Sequence, residues 1–308
     1  MGRHLAPLTP TLAALARAQC GLLTVHQCEV GHLDHRARRR RLDQGVWSQP
    51  SPGVLDVEPY LERTIAERER REVEIALLAS GDGAVAVGLA ALRLHGCWAL
   101  PRIWRARAVR RSRRRGRGGA QNDHFAVTTA GGRLAAVVLD AVVQALPHLD
   151  RLHLVAVLDW ALNRGHLRSV DELVVRAAGH RGVARLREWG VLADGRAESF
   201  LETWARLQCV DAGIPPTTLQ LPLLDVDGSV RARGDLAWRL PDGRWLVVEI
   251  DGVSIHDRPT SSRLDRRRQN WMVGERTVVL RYDAEDLRRG LLPLEVRRTM
   301  RALTRAAA

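Results

Sequence analysis

The stretch R-G-D-L-A-W-R-L-P-D-G-R-W-L-V-V-E-I-D-G, residues 233–252, has the pattern of a β-hairpin. Two runs of alternating apolar residues flank the turn Leu240-Pro-Asp-Gly-Arg244, in which Gly243 provides the left-handed residue of a three-residue loop with a G1 bulge. If Leu240 faces Arg244, one face of the hairpin collects only apolar side chains, those of Leu236, Trp238, Leu246, Val248 and Ile250. The turn and the apolar face therefore predict the same register independently.

The same register places three acidic side chains on the opposite face of the hairpin. Asp235 falls directly opposite Glu249, and Asp251 follows two residues later on the same face. Carboxylates facing each other at about 5 Å destabilise a sheet, so we expect a positive charge between them. Oxygen ligands of this kind suit Mg²⁺ or Mn²⁺, which can activate water for attack on a phosphodiester. The alternative is a surface cluster neutralised by arginines.

The first 58 residues predict a winged helix-turn-helix. Residues 11–19 have a helical pattern, Thr24 is a suitable N-cap for a helix that ends before Gly31, and residues 34–45 form a third, arginine-rich helix. Two short β segments around a Pro/Gly turn follow at residues 46–57, where a wing is expected. The third helix carries the predicted DNA-binding residues, which are expected to be partly solvent-facing: Arg36, Arg38, Arg39, Arg40 and Arg41. The alternative is a solvated basic helix without a ligand.

The length of the chain indicates the number of domains, and its charge indicates the class of partner. The 308 residues suffice for two or three domains, the formal net charge is +13, and every basic residue counted as Lys or Arg is an arginine. Planar guanidinium groups suit phosphate, so we expect a nucleic acid as partner, duplex DNA before all others. RNA stays an alternative, although no RNA-specific module is recognisable. The oligomeric state is open, with a homodimer among the alternatives.

The predicted fold class is multidomain α+β in three parts. The winged helix-turn-helix covers residues 1–58, a mostly helical middle region covers 59–192 with helices at 133–146 and 152–160, and an α/β domain with a mixed sheet covers 193–308. The run R-R-S-R-R-R-G-R-G-G lies in a basic loop, residues 102–119, which is expected to touch phosphates or to be merely solvated.

Neither a membrane segment nor a disulfide framework is predicted. The apolar stretch at residues 12–23 is interrupted by polar residues, and no run reaches about 18 apolar residues, so we expect a cytoplasmic protein without a membrane partner. The four cysteines are widely spaced and are expected to be reduced and mostly buried. A zinc site is a minor alternative, with a possible ligand set of Cys20, His26, Cys28 and His32.

The N-terminal part has the order helix, G-L-L-T, short helix, arginine-rich helix, G-V-W and P-G-V. In this order it resembles the winged-helix domain of the AbiEi family of antitoxin-like regulators. The resemblance continues through residues 85–101, which are similar to a small helix with an L-H-G end in that family.

The last 110 or so residues contain, in order, the motifs S-F-L-E (199–202), G-D (234–235), V-V-E-I-D-G (247–252), His256, D-R-R-R-Q-N (265–270) and V-L-R (279–281). In these motifs they resemble the very-short-patch-repair-like (Vsr-like) endonuclease domains of the PD-(D/E)XK superfamily. The resemblance implies a restriction-endonuclease-like fold in which Asp235 and Glu249 ligate the metal and Asp251 stands where the superfamily has a lysine. It further implies accessory residues around the acids: Glu202 approaching from a helix, His256 assisting, and Arg268 and Arg281 steering phosphate or bracing the acids.

Two departures from that family pattern bear on function. The chain has no lysine, so His256 would have to act as the base, and Gly234 stands before Asp235 where a proline or β-branched residue is commoner. The sequence thus predicts a Mg²⁺-dependent DNA endonuclease (a hydrolase) with a winged-helix DNA-binding domain. The alternative is a non-catalytic, antitoxin-like transcriptional regulator that keeps a degenerate nuclease fold.

Overall fold

A computed structural model describes residues 5–102, 104–110, 125–224, 227–252 and 277–306. The chain is a mixed α+β protein, as predicted, and it divides into two compact units, Met1–Pro147 and His148–Ala308. The division lies inside the predicted middle region. Among the described residues, no helix is both long enough and apolar enough to cross a membrane.

The first unit alternates short helices and short strands. Its helices are α1 (Pro10–Ala18), α2 (Val25–Val30), α3 (His35–Asp43), α4 (Ile65–Ser80), α5 (Leu89–Leu94) and α6 (Val138–Ala145). Its strands are β1 (Leu22–Thr24), β2 (Ser48–Ser51), β3 (Val54–Asp56), β4 (Ala84–Val87), β5 (Arg107–Arg110), β6 (Val127–Ala130) and β7 (Arg133–Ala136).

Helices α2 and α3 begin where the capping residues predict. Thr24 forms a capping box with Gln27, and the Asp34 carboxylate accepts the N–H of Ala37 at 2.7 Å. Strands β1, β3 and β2 form an antiparallel sheet in that order, which confirms the two β segments predicted at residues 46–57. The helices and the sheet enclose a small core that contains Leu12, Leu23, Cys28, Trp47 and Leu55.

The middle region is less helical than predicted. A four-stranded sheet of order β5-β4-β7-β6 occupies part of it, and residues 133–136 form strand β7 before helix α6 begins at Val138. Residues 107–110 of the predicted basic loop form strand β5, whereas 111–119 lie outside the described residues. Alanine favours helices locally, but pairing with buried neighbouring strands overrides that preference at Ala135 and Ala136.

The second unit contains a helical part and an α/β part. Its helices are α7 (Arg151–Asn163), α8 (Val170–Arg176), α9 (Val183–Trp189), α10 (Phe200–Asp211), α11 (Ala284–Arg288) and α12 (Leu291–Ala306). Its strands are β8 (Thr218–Leu224), β9 (Val230–Arg239), β10 (Trp245–Ile250) and β11 (Thr277–Tyr282). The described residues also include two 3-10 turns, Leu146–His148 and Gly190–Leu192.

The predicted hairpin register is confirmed. Strands β9 and β10 pair antiparallel with Leu246 opposite Trp238 and Val248 opposite Leu236. In the turn, Leu240 N–H donates to the Arg244 carbonyl at 2.8 Å and Gly243 has φ +85°. The sheet order is β11-β10-β9-β8, with β11 parallel to β10. Helices α10, α11 and α12 contribute to the core on its apolar face, which includes Ala205, Leu287, Leu292 and Val296.

A buried ion pair joins α7 to α10. The Arg206 guanidinium lies 2.6 Å from the Asp159 carboxylate, which also accepts the Thr203 hydroxyl at 2.7 Å and the Asp194 N–H at 2.6 Å. Burial raises the pKa of Asp159, while Arg206 and these donors oppose that rise. The carboxylate is fully buried, so its charge is tolerated only because each oxygen has donors.

We expect Arg206→Met to destabilise the second unit by about 3–5 kcal/mol, because the substitution leaves a buried carboxylate without its cation. Urea unfolding followed by tryptophan fluorescence measures the change. Arg187→Met, at an exposed position of α9, is the control and should stay within about 0.5 kcal/mol of wild type. Equal unfolding midpoints for the two variants would contradict the assigned role of Arg206.

Candidate functional site

Strands β9 and β10 bring two of the predicted acids together, Asp235 in the middle of β9 and Glu249 near the end of β10. The pairing reaches Val248 and Leu236, so the next residues on the two strands are Glu249 and Asp235. Beyond that pair, Asp235 Oδ2 accepts the backbone N–H of Ile250 at 2.7 Å. The Asp235 carboxylate therefore reaches across to the neighbouring strand, beside Glu249, as the turn predicted.

Glu249 has a basic partner on the other side. It is paired in register with Arg281 of the parallel strand β11, and the guanidinium lies 2.7 Å from Glu249 Oε2. The Glu249 side chain is only 9% exposed, so the ion pair is largely shielded from water. Of the two roles that the resemblance implies for Arg281, bracing an acid matches this contact.

Gln220 is a site residue that the sequence analysis missed. Its side-chain amide donates to Glu202 Oε2 at 3.0 Å and lies 3.5 Å from Asp235 Oδ1, so it connects helix α10 to strand β9. Its φ of +51° is unusual for a residue other than glycine within a strand. No sequence signal announces such a backbone conformation, because glutamine gives no indication of a left-handed residue.

Glu202 approaches the acids from α10, as the resemblance implies. Its Oε2 also accepts the backbone N–H of Glu198 at 2.8 Å. Burial raises the pKa of Glu202, and its hydrogen bonds oppose the rise. Glu202, Gln220 and Asp235 thus form a continuous polar chain from the helix to the sheet.

Of the remaining residues predicted at this site, only Asp251 lies within the described residues. Asp251 continues β10, and its backbone N–H donates to the Tyr282 carbonyl at 2.8 Å. His256 and Arg268 lie outside the described residues.

The predicted metal cluster is not assembled among the described residues. No group of three His, Cys, Asp or Glu side chains in these ranges could hold a metal ion, and this covers both the three hairpin acids and the alternative Cys/His set. Protein donors bind the acids instead: Arg281 binds Glu249, and Ile250 N–H and Gln220 bind Asp235. The carboxylate oxygens still suit a hard cation in kind, but such an ion would have to share or replace the Arg281 contact at Glu249.

Two of the five α3 arginines that were predicted to be partly solvent-facing are buried. Arg38 is buried and donates to the Leu33 carbonyl and to Glu29, at 2.8 and 2.9 Å. Arg41 is also buried, bonds the carbonyls of Ala6 and Ala37, and lies over the Trp47 ring. Residues three apart share a helix face, and here that face packs against the rest of the N-terminal domain.

The other three arginines of α3 are exposed. Arg36, Arg39 and Arg40 lie on the outer part of the helix, where Arg39 forms a surface ion pair with Asp43 at 3.0 Å. These three are the members of the predicted set that a phosphate backbone could reach.

A glycine is needed at position 234 for a steric reason that the sequence did not reveal. The residue is buried, and a Cβ atom at this position would lie 2.2 Å from Val247 Cγ1. A proline or a β-branched residue would collide there. The glycine thus permits the close approach of the two strands directly before Asp235.

We expect Gly234→Ala to lower the free energy of unfolding by about 1–3 kcal/mol through overpacking. Val247→Ala in the same chain should restore space, so the double variant should lose less than the sum of the two single losses. Gly252→Ala, where a Cβ meets nothing within 4 Å, is the control. Strictly additive losses in urea unfolding would show that the contact with Val247 is not the cause.

Comparison with known proteins identifies two relatives from Mycobacterium tuberculosis: "Uncharacterized protein MT2308" of strain CDC 1551 / Oshkosh and "Uncharacterized protein Rv2248" of strain ATCC 25618 / H37Rv. Each is 36% identical to this chain over 139 residues, which cover 44% of this chain and 50% of the relative. The chain therefore spans about half the length of the curated relatives it matches. No protein-family model matches the chain, and no solved structure matches it significantly.

Proposed function

We propose that the protein is a Mg²⁺-dependent DNA endonuclease whose N-terminal domain holds duplex DNA and whose C-terminal domain carries the cleavage site. The observation that carries this proposal is that Asp235 and Glu249 occupy the next positions of β9 and β10 beyond the Leu236–Val248 pair, with Glu202 connected to Asp235 through Gln220. The carboxylate oxygens of these acids are the kind of ligand that a hard cation prefers, and at Glu249 such an ion would have to share or replace the Arg281 contact.

The order of elements supports both halves of the proposal. Helices α1 to α3 followed by the β2–β3 hairpin are the order expected of a winged helix-turn-helix. Helix α10, strands β8 to β10 and strand β11 are the described elements expected of a Vsr-like domain. The resemblance noted above draws on residues in these same elements.

The chemistry divides between an ion and the protein. Asp235 and Glu249, with Asp251, would hold the ion, which supplies an activated water and positive charge at the phosphate. Arg281 holds the Glu249 carboxylate in place, and Gln220 links Asp235 to Glu202. We assign the base to His256, which follows β10 in the chain and is of the residue type that most often acts as a general base.

A non-catalytic DNA-binding regulator is the second candidate. The Glu249–Arg281 ion pair favours it, because an arginine that neutralises a predicted ligand replaces part of what a metal ion would do. The absence of lysine from the sequence points the same way. In this case the C-terminal domain would serve as a platform for a ligand or partner.

We expect Asp235→Asn to abolish metal-dependent cleavage while DNA affinity holds or rises, since one repulsive charge is removed and side-chain size is kept. Plasmid, linear and mismatched DNA incubated with Mg²⁺, Mn²⁺ or EDTA give the measurement. Asp242→Asn, in the turn of the same hairpin, is the matched control and should cleave like wild type, because Asp242 pairs only locally with Arg244. Wild-type protein that binds DNA but cuts none of these substrates with either metal would replace the endonuclease by the regulator.

We expect Arg39→Ala combined with Arg40→Ala to weaken DNA binding and to lower the slope of log K against log salt by about one for each lost phosphate contact. Cleavage at saturating DNA should survive. Arg17→Ala combined with Arg68→Ala removes two exposed charges from α1 and α4 and is the charge-matched control. Equal losses from both pairs would mean that α3 has no special role, and RNA competing as well as duplex DNA would redirect the proposal to RNA.

A further inference from the structure

Helix α12 presents a row of arginines along one side. Arg297, Arg301 and Arg305 recur every fourth residue, Arg298 lies beside them, and all four side chains are exposed. Three of them line a groove of about 500 Å³, which is completed by Gly213, Ile214, Met300 and Thr304. We call this surface, Arg297, Arg298, Arg301 and Arg305, the α12 basic face.

The α12 basic face has no acidic counterpart in the described parts of the chain. Within those ranges, Arg298, Arg301 and Arg305 form no ion pair, and Arg297 donates only to the Ala212 carbonyl. Like charges one turn apart destabilise a helix. The neighbouring α11 differs, because Glu285 binds both Arg288 and Arg289, at 2.9 and 3.0 Å.

The apolar side of α12 is already used. Leu292 and Val296 are fully buried in the core of the second unit, and Met300 and Leu303 pack against it. A basic amphipathic helix that binds a lipid surface must insert its apolar side, which here is occupied. The exposed side carries the four arginines beside one exposed leucine, Leu294, and this concentration of positive charge suits a polyanion.

We propose that the α12 basic face is a second DNA-backbone contact, separate from α3 and located in the unit that carries the acids. Arg297 to Arg305 spans about 12 Å of helix axis, a length over which one strand of duplex DNA carries about three to four phosphates. Guanidinium groups bind such phosphates in forked pairs. The identity of the polyanion as DNA rests on the proposed function.

The test is fluorescence anisotropy of a labelled duplex with the full chain, in EDTA so that no cleavage intervenes, across a range of salt concentrations. Arg301→Gln with Arg305→Gln should lower the slope of log K against log salt by about two and weaken binding by up to about 30-fold at 0.15 M salt. Arg288→Gln with Arg289→Gln, which removes two arginines already neutralised by Glu285, should leave both quantities near wild type.

Each outcome separates this proposal from the endonuclease. The α12 effect should persist in the Arg39→Ala/Arg40→Ala background, and it requires no cleavage by the wild type. Equal effects of the α11 and α12 pairs, or no effect of the α12 pair in a variant with a wild-type circular dichroism spectrum, would overturn it. Displacement of the duplex by poly-glutamate at equal charge would also overturn it, because the face would then fit an acidic protein.

Discussion

The hydrogen bond from Leu240 N–H to the Arg244 carbonyl closes the turn on which the candidate site depends. Because side chains alternate between the two faces of a strand, the turn decides at once which residues enter the core and which face away. With this register, Trp238 and Leu246 enter the core, and Asp235 and Glu249 meet at the far end of the hairpin. A shift by one residue would bury the acids and expose the apolar face, at a cost that no local contact could offset.

Helix α10 supports the candidate site through polar contacts on two sides. On one side, Glu202 connects through Gln220 to Asp235. On the other, Thr203 and Arg206 bind the buried carboxylate of Asp159 on α7. Buried polar contacts on both sides fix the helix more firmly than apolar packing alone, because each one has a preferred geometry as well as an energy. The acids of the hairpin thus rest on a support that extends to the helical part of the same unit.

The arginines of this chain have two different roles, one structural and one at the surface. Arg38, Arg41 and Arg206 are buried and donate to carbonyls or carboxylates, where five donors on one planar group satisfy several acceptors at once. The exposed arginines of α3 and α12 keep their charge at the surface. The net charge of the sequence therefore overstates the charge that is available for binding at the surface, since part of the arginine surplus is structural.

The sequence by itself determined the N-terminal helices, through the caps Thr24 and Asp34, and the hairpin register, through Gly243 and the alternation around it, because these are local or period-two effects. Tertiary structure decided the rest. Strand β7 forms because β4 and β6 pair with its alanine-rich sequence. Gln220 enters the site through an unusual backbone angle. Arg281 reaches Glu249 from the adjacent parallel strand. The burial of Arg38 and Arg41 also depends on their contacts with Glu29 and Ala6. These partners lie outside α3, so the charge of the helix could not reveal them. Contacts between residues far apart in sequence leave no periodic signal, so only the folded chain shows them.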